Sequence, residues 1–467
     1  MISASKSASS PDAEESPGEG HPPAAAGLRE DKTAYGAPFW NAYVANLLVM
    51  VACSLLFRYA DFVQFLGGTE FHLGWIVGIG MVGSLAMRFA QGRGIDRYGA
   101  RRIWLASAAL LCASSLAHLL IERADTVAVY LVRIVFATSV AGVFGASITS
   151  ISLRAPQNRL GEVLGMLGTS GFLGMMTGTL VGDLMFGEGP VAYRHIAAMF
   201  LTAAGLAAVS MVFIMLATRG EVRHTSKHRP PLLWTFKRYH PGAILLVAAV
   251  GGMGLTIPQT FLRPFAAELG ISGIAIFFWV YAPAAFAIRL LLRRWPDRLG
   301  VRPSLIMGLS FMAAGFLAFL LVSNQWQLLV PAILVAVAHA MIFPAIMAGG
   351  TSSFPARYRG IGTALVLAMF DLGSLCGAPA AGVLLRVARL AEWPRYPTMF
   401  TALAVVVAMV VLWYATRASR LPRRRVRGGV AASPVRLSPV AGPPQPVVLR
   451  DSGNTPAPAA VHQDVAP

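Results

Sequence analysis

Charged residues are scarce in this chain, and acidic ones are the scarcest. Of 467 residues, 13% are charged, with 21 acidic against 39 basic side chains. A soluble domain carries about 25% charged residues, so the composition argues against an ordinary soluble protein. Hydrophobic residues make up 56% of the chain, which fits many membrane spans better than one very large core.

Cysteine and the common catalytic patterns are also missing. Three cysteines (Cys53, Cys112 and Cys376) fall singly in apolar runs, which excludes a disulfide framework and a cysteine metal site. No Walker motif is present, so ATP is not the expected energy source. The chain has no His-x-x-x-Asp pair or clustered carboxylates of the kind a membrane enzyme would need. We therefore expect no enzyme, no metal and no cofactor. No apolar run follows a basic start in the first thirty residues, so a signal peptide is not expected.

Twelve apolar runs separated by short polar segments occupy most of the chain. They predict an all-α membrane protein with twelve transmembrane helices in two parallel six-helix repeats. The predicted order is a disordered cytoplasmic N-terminal tail (1–37), a six-helix half (38–217), a basic cytoplasmic linker (218–241), a second six-helix half (242–416) and a C-terminal cytoplasmic tail, first basic and then disordered (417–467).

A basic motif after the second and eighth runs carries the repeat. Both copies read Asp-Arg-x-Gly-x-Arg, and both follow an arginine that closes the preceding run at the same distance, Arg88 and Arg289. The positive-inside rule concerns only Lys and Arg, so it does not explain the aspartate. The motif therefore indicates a role beyond setting the orientation of the chain in the membrane. Its residues are Gly92, Asp96, Arg97, Gly99, Arg101 and Arg102 in the first copy, and Asp297, Arg298, Gly300 and Arg302 in the second.

The fifth and eleventh runs correspond as well. Pro156 and Pro355 open similar loops, and at the same offset Gly174 and Gly178 correspond to Gly373 and Gly377. The fifth run also carries Gly171 and Gly182, and this spacing of three and four predicts a packing seam along one helix face.

The basic residues indicate the orientation. The formal net charge is +18, and most Lys and Arg lie after runs two, four, six, eight and ten and in the C-terminal tail. We therefore expect the protein in the inner (cytoplasmic) membrane with both termini in the cytoplasm. We also expect these basic residues to lie near membrane lipid and not to bind nucleic acid. The loop after run eleven, with Arg386, Arg389 and Arg395, breaks the pattern, and the sequence offers no account of it.

On these motifs the chain resembles the major facilitator superfamily from about Phe39 to Thr416. The family's loop after span two reads roughly Gly-x-x-x-Asp-Arg-x-Gly-Arg-Arg. The first copy departs from it at Ala100 and the second at Arg293. The resemblance implies alternating access of a small solute, commonly driven by protons, through a cavity lined by spans one, four, seven and ten. It also implies that Asp96 and Asp297 belong to a cytoplasmic latch.

Two further family patterns are altered. Arg133 stands where many members carry an arginine in span four, but Phe136 and Ala137 replace the Gln-Gly that should follow. The fifth span resembles the antiporter pattern Gly-x-x-x-Gly-Pro-x-x-Gly-Gly, with Thr179 and Asp183 in place of the proline and the last glycine.

Seven polar residues in the spans are candidates for substrate binding or coupling. A charge deep in a bilayer costs about 2.5–3.5 kcal/mol on insertion scales, so its presence suggests a function. Arg133 binds or couples, or else snorkels to the outer interface. Asp371 is a proton-coupling group or a hydrogen-bonded packing residue, and His339 is a coupling group or a satisfied polar residue. The seven are Arg58, Asp61, Arg133, Gln259, Arg263, His339 and Asp371.

Aligning the halves by Leu66-Gly67 and Leu269-Gly270 places Arg263 near the position equivalent to Asp61. Asp61 could pair with Arg263 across the outer mouth, or with Arg58 three residues away on its own helix. A cross-mouth pair that opens in each cycle is expected to be partly solvated and worth about 1 kcal/mol.

The sequence thus predicts a monomeric secondary transporter for a small-molecule substrate. It favours export of an organic compound, with proton coupling. An uptake permease of the same fold and a membrane receptor without flux remain as alternatives.

Overall fold

The computed structural model describes residues 35–156, 159–187, 189–220, 232–291, 300–355 and 358–417. Within these ranges all regular structure is helical. We number the twelve main helices α1 to α12: Ala37–Phe65, Glu70–Tyr98, Ala100–Leu120, Val127–Arg154, Leu160–Phe186, Tyr193–Ala217, Ala243–Glu268, Ala275–Leu291, Val301–Leu321, Gln325–Ser352, Arg359–Leu390 and Arg395–Arg417. A 3-10 turn, Leu56–Arg58, interrupts α1, and a short linker helix spans Leu232–Tyr239.

Eleven of these helices are long and apolar enough to cross a membrane, and α8 is a shorter apolar helix. The prediction of an all-α membrane protein with twelve spans in two repeats is confirmed. We call α1–α6 the first half and α7–α12 the second half. The tails and most of the linker lie outside the described residues, so the domain boundaries stay predictions.

Glycines with left-handed backbone mark matching places in the two halves. Gly67 follows α1 with φ 77°, and Gly270 follows α7 with φ 72°. Gly99 and Gly300 both have φ 85° and precede α3 and α9. A residue with a Cβ is strained at such φ values, so glycine suits each of these four positions. We call one end of the bundle the Gly67 end and the other the motif end.

The first copy of the basic motif is helical, and its interpretation as a loop between two spans is wrong, whereas residues 292–299 of the second copy lie outside the described residues. Helix α2 continues to Tyr98, and only Gly99 separates it from α3. Arginine has a high helix propensity, so a helix can extend past the apolar part of its sequence. The change from apolar to charged residues at Arg88 marks a change of environment rather than the end of the helix.

The two halves pack together along α2 and α11, where glycines let the backbones approach. A Cβ on Gly74 would lie 2.4 Å from the carbonyl oxygen of Ala378, and one on Gly78 would lie 2.4 Å from the ring of Pro379. Such small-residue contacts are a common means of helix association in membranes. This seam covers the part of α2 nearer the Gly67 end.

Helix α5 packs on its own half through part of the predicted glycine seam. Cβ atoms on Gly174 and Gly178 would clash with Met50 and Val51 of α1, so these two glycines are packing residues. A Cβ on Gly171, in contrast, would have no neighbour within 4 Å among the described residues, so the assignment of Gly171 to the seam is wrong. The seam therefore begins further along α5 than the spacing predicts.

A different face of α5 turns toward the second half. Gly165, Phe172 and Asp183 lie on it, because their separations correspond to nearly whole numbers of turns at 3.6 residues per turn. Phe172 and Asp183 contact the second half. A Cβ on Gly165, or on Gly168 close to the same face, would meet no described atom within 4 Å. Along this face the described contacts with the second half lie at Phe172 and Asp183, and Gly165 and Gly168, nearer the motif end, are exposed.

Candidate functional site

Four charged side chains meet at the Gly67 end, and we call them the charge cluster: Arg58, Asp61 and Asp183 from the first half, and Arg263 from the second. Arg58 Nε donates to Asp61 Oδ2 at 2.7 Å, and Arg263 Nε lies 3.1 Å from both Asp61 carboxylate oxygens. Asp61 thus makes the local pair and the cross-mouth pair together.

The cluster is buried. The side chains of Arg58, Asp61 and Arg263 are 2%, 5% and 13% exposed, so Arg58 and Asp61 are buried and the Asp61–Arg263 pair is partly buried, with little contact with solvent. The end of α1 contacts α7 here, and the ring of Phe57 on α1 packs on that of Phe278 on α8 with centroids 4.7 Å apart.

Asp183 is a member that sequence reasoning missed. Its Oδ1 accepts from Arg58 NH1 at 3.1 Å, and its Oδ2 accepts the backbone N–H groups of Ile274 and Ala275 at 2.7 and 2.6 Å. These N–H groups belong to the start of α8, where the helix dipole favours a negative charge. The departure from glycine at position 183 in the antiporter-like pattern was the available signal.

A second group of contacts joins the halves at the same end. Arg395 NH1 lies 3.2 Å from Glu70 Oε1 in the first half, and Arg395 NH2 contacts Glu268. The guanidinium of Arg386 lies 4.7 Å from the centre of the Phe71 ring. These contacts give two of the exceptional arginines after span eleven a structural role that does not concern topology.

Asp371 lies in the α2–α11 interface, on the motif side of the glycine contacts. Its Oδ2 accepts from Ser84 Oγ at 2.7 Å and from Arg88 Nε at 3.1 Å, both on α2. The side chains of Arg88 and Asp371 are 17% and 9% exposed. Asp371 is therefore a hydrogen-bonded ion-pair partner between the halves, and the proton-coupling role stays a prediction.

Arg289, on α8, lies between aromatic rings from both halves. Its guanidinium carbon is 5.3 Å from the centre of the Phe172 ring on α5 and 5.8 Å from that of Phe343 on α10. Its Nε is buried and has no hydrogen-bond partner among the described residues. Beside it, His339 Nδ1 and the Tyr281 hydroxyl form a hydrogen bond, and the His339 ring lies 6.2 Å from that of Phe172.

Arg133 lies inside the first half rather than between the halves. Its guanidinium carbon is 4.5 Å from the centre of the Tyr59 ring and 5.0 Å from that of Phe136, and its NH1 is buried without a hydrogen-bond partner in the described part of the chain. Gln259 is half-buried on α7, one turn before Arg263, and makes no hydrogen bond to the charge cluster within the described ranges.

The basic motif is only partly described. Asp297 and Arg298 lie outside the described residues, as do the side chain of Asp96 and the surroundings of Gly92. Arg97, Arg101 and Arg102 are exposed at the helix ends. Gly300 precedes α9, and Arg302 donates to the carbonyl oxygen of Ala415 within the second half. The latch roles of Asp96 and Asp297 therefore stay predictions.

The comparisons with known proteins agree with this architecture. The chain is similar in fold to the nucleoside transporter NupG (TM-score 0.65, 13% identity, 81% of this chain and 98% of that chain). It is also similar to a D-xylose–proton symporter (0.65, 16%, 81% and 97%). A third similar structure is a bacterial homologue of the human lysosomal transporter Spinster, inward-facing and unoccupied (0.62, 15%, 81% and 95%).

At these identities the structural likeness concerns the fold alone. The family model of the Major Facilitator Superfamily matches residues 39–296 and 274–452, which together span most of the chain. The chain therefore belongs to the Major Facilitator Superfamily.

Proposed function

We propose that this protein carries a small solute across the cytoplasmic membrane by alternating access, with the Gly67 end outside and the motif end in the cytoplasm. The observation that carries the proposal is the charge cluster, which joins the halves at one end, while Gly165 and Gly168 on the same face of α5 are exposed nearer the other end. The conformation is then open to the cytoplasm and closed to the outside.

The cluster has the properties of a reversible outer gate. Opening would separate Asp61 from Arg263, and Asp183 from the start of α8. Leaving a buried charge without any partner costs about 3–5 kcal/mol, which would oppose opening. Here Arg58 stays with both aspartates in the first half, and Arg263 NH1 keeps the carbonyl oxygens of Ile271 and Ser272 at 3.3 and 3.2 Å. Each charge retains a polar contact within its own half, so the gate can open at a lower cost.

We propose Asp371 as the proton-coupling group. It pairs with Arg88 across the α2–α11 interface, and a proton on the carboxyl would remove the charge that Arg88 contacts. Protonation would then weaken one connection between the halves. One of the proteins of similar fold is described as a proton symporter, which is compatible with this energy source.

We propose that the protein exports its solute, because the glycines of α5 resemble an antiporter pattern. Uptake by the same fold is the alternative. A non-transporting receptor is the second alternative, and enzymatic turnover is not proposed.

A flux assay tests the proposed transport. The purified protein is reconstituted into proteoliposomes with and without a pH gradient. We then follow the movement of labelled organic acids, nucleosides, sugars and cationic drugs. Control vesicles contain Asp61→Asn with Asp183→Asn, which removes the carboxylates from the cluster. Gradient-dependent flux of one compound in wild-type vesicles only supports the proposal, and its direction relative to the gradient separates export from uptake. Binding without flux would favour the receptor.

A further inference from the structure

The charged side chains within the spans do not balance in the described residues. Arg58 and Arg263 are matched by Asp61 and Asp183, and Arg88 is matched by Asp371. Arg133 and Arg289 each have a buried nitrogen without a hydrogen-bond partner in the described part of the chain, and each has its guanidinium against aromatic rings. A cation–π contact contributes about 0.5–2 kcal/mol, which is much less than the several kcal/mol of desolvation of a buried ion.

Of these two arginines, Arg289 lies at the interface between the halves. It contacts Phe172 of the first half and Phe343 of the second, and its Nε has no partner among the described atoms. Phe172 lies on the α5 face that carries Gly165 and Gly168, which are exposed nearer the motif end. A solute entering from that end would reach Phe172 and Arg289 along this face.

The internal repeat shows what Arg289 lacks. Arg289 corresponds to Arg88, since each precedes its copy of the motif by the same distance. The alignment that pairs Gly174 with Gly373 places Phe172 opposite Asp371. In one interface between the halves Arg88 therefore meets a carboxylate, and in the equivalent interface Arg289 meets a phenyl ring. The hydroxyl that also contacts Asp371, on Ser84, corresponds to the methyl of Ala285.

We propose that Arg289 binds the carboxylate of a small organic acid, which supplies at the α5–α8 interface the negative charge that Asp371 supplies at the α2–α11 interface. The rings of Phe172 and Phe343 pack against the organic part of the ligand. A single unmatched guanidinium fits a monocarboxylate, because a phosphate dianion would leave a second negative charge uncompensated. The inference rests on the proposed transport function and names its substrate class.

Binding is tested without flux, by the melting temperature (Tm) of the purified, detergent-solubilised protein. The probes are benzoate, phenylacetate and acetate, with benzamide as the neutral match of benzoate and sulfate as an inorganic anion. At least one carboxylate is expected to raise Tm by more than about 2 °C at a saturating concentration. Benzamide and sulfate are expected to leave it unchanged.

Four variants assign the effect to the site. Arg289→Gln should abolish the carboxylate shift, and Arg289→Lys should reduce it, because lysine retains the charge without the planar donor pair. Phe172→Asp places a carboxylate where the other interface has one, so it should raise the Tm of the ligand-free protein and abolish the shift. Arg123→Gln, which removes an exposed loop arginine that pairs with Asp125, should leave the shift intact.

Three results would overturn the proposal. These are the absence of a shift with all three carboxylates, a shift that survives both Arg289→Gln and Phe172→Asp, and an equal response to sulfate. The outcome is separable from transport itself. An Arg289-dependent Tm shift without flux of any solute would contradict the transport proposal and support the anion site. Flux that is insensitive to Arg289→Gln, together with no Tm shift by any carboxylate, would contradict only the anion-site proposal.

Discussion

Asp61 of the first half and Arg263 of the second are joined by two contacts of 3.1 Å, while Arg58 holds the same carboxylate at 2.7 Å from within the first half. Asp61 is therefore shared between a partner on its own helix and one in the opposite half. This arrangement would suit the proposed outer gate, because the carboxylate would keep a counter-ion if Arg263 moved away.

Charge exchange distinguishes the two partners of Asp61. Asp61→Arg with Arg263→Asp re-creates the pair between the halves and leaves Arg58 with Asp183, so it should restore much of the flux lost in either single variant. Asp61→Arg with Arg58→Asp would put a carboxylate beside Asp183 and a guanidinium beside Arg263, and it should not restore flux. Rescue by the second combination alone, measured in the same proteoliposome assay, would confine the pair to α1.

Asp183 should act through both of its contacts. Asp183→Asn keeps an oxygen that can accept the N–H groups of Ile274 and Ala275 but loses the charge facing Arg58, whereas Asp183→Ala loses both. We expect Tm to be highest in the wild type, lower in Asp183→Asn and lowest in Asp183→Ala. The change from Asn to Ala should cost about 1–3 kcal/mol of folding free energy, because it leaves buried N–H donors unsatisfied. Equal values for the two variants would mean that the N–H contacts contribute little.

Asp371→Asn should uncouple the protein from the proton gradient. The amide cannot take up or release a proton, so we expect solute exchange to persist while accumulation against a concentration gradient is lost. Ser84→Ala is the matched control, because it removes one hydrogen bond to the same carboxylate and leaves its charge and Arg88 in place. Accumulation by Asp371→Asn at the wild-type level would place coupling elsewhere.

Asp96→Asn tests the latch implied by the motif. Asp96 lies in the last turns of α2, one turn before Gly99. We expect normal expression and membrane insertion with a flux at least about tenfold lower, because the cytoplasmic end can no longer be held closed. Glu122→Gln, in an exposed loop at the opposite end, is the control. A fully expressed Asp96→Asn protein with normal transport would end this role.

Hydropathy predicted the spans because it is a property of short stretches of sequence. The partners of Asp61 were predicted from the spacing of Arg58 on the same helix and from the alignment of the two halves, which indicated Arg263. The extent of α2 beyond Arg88 was missed, since polarity marks the membrane boundary and a helix can continue through it. Asp183 and Arg289 were missed for another reason. Their significance depends on which helices meet across the halves, and local spacing carries no information about that.

The same holds for Asp371. Its depth in span eleven was evident from the sequence, but its partners Ser84 and Arg88 lie on a helix of the other half. Alignment of the two repeats gave more information about contacts between the halves than the motifs did, because it relates positions that occupy equivalent interfaces. It placed Arg263 opposite Asp61, and it identifies Phe172 as the counterpart of Asp371.

Side-specific labelling of one position tests alternating access most directly. Gly168→Cys, in a background with Cys53, Cys112 and Cys376 changed to Ser, is exposed to a membrane-impermeant maleimide in inside-out and right-side-out vesicles. The account predicts faster labelling from the cytoplasmic side in this parent, and a shift toward outer-side labelling when Arg263→Gln weakens the charge cluster. Equal labelling from both sides in the parent, or a side preference that Arg263→Gln leaves unchanged, would contradict it.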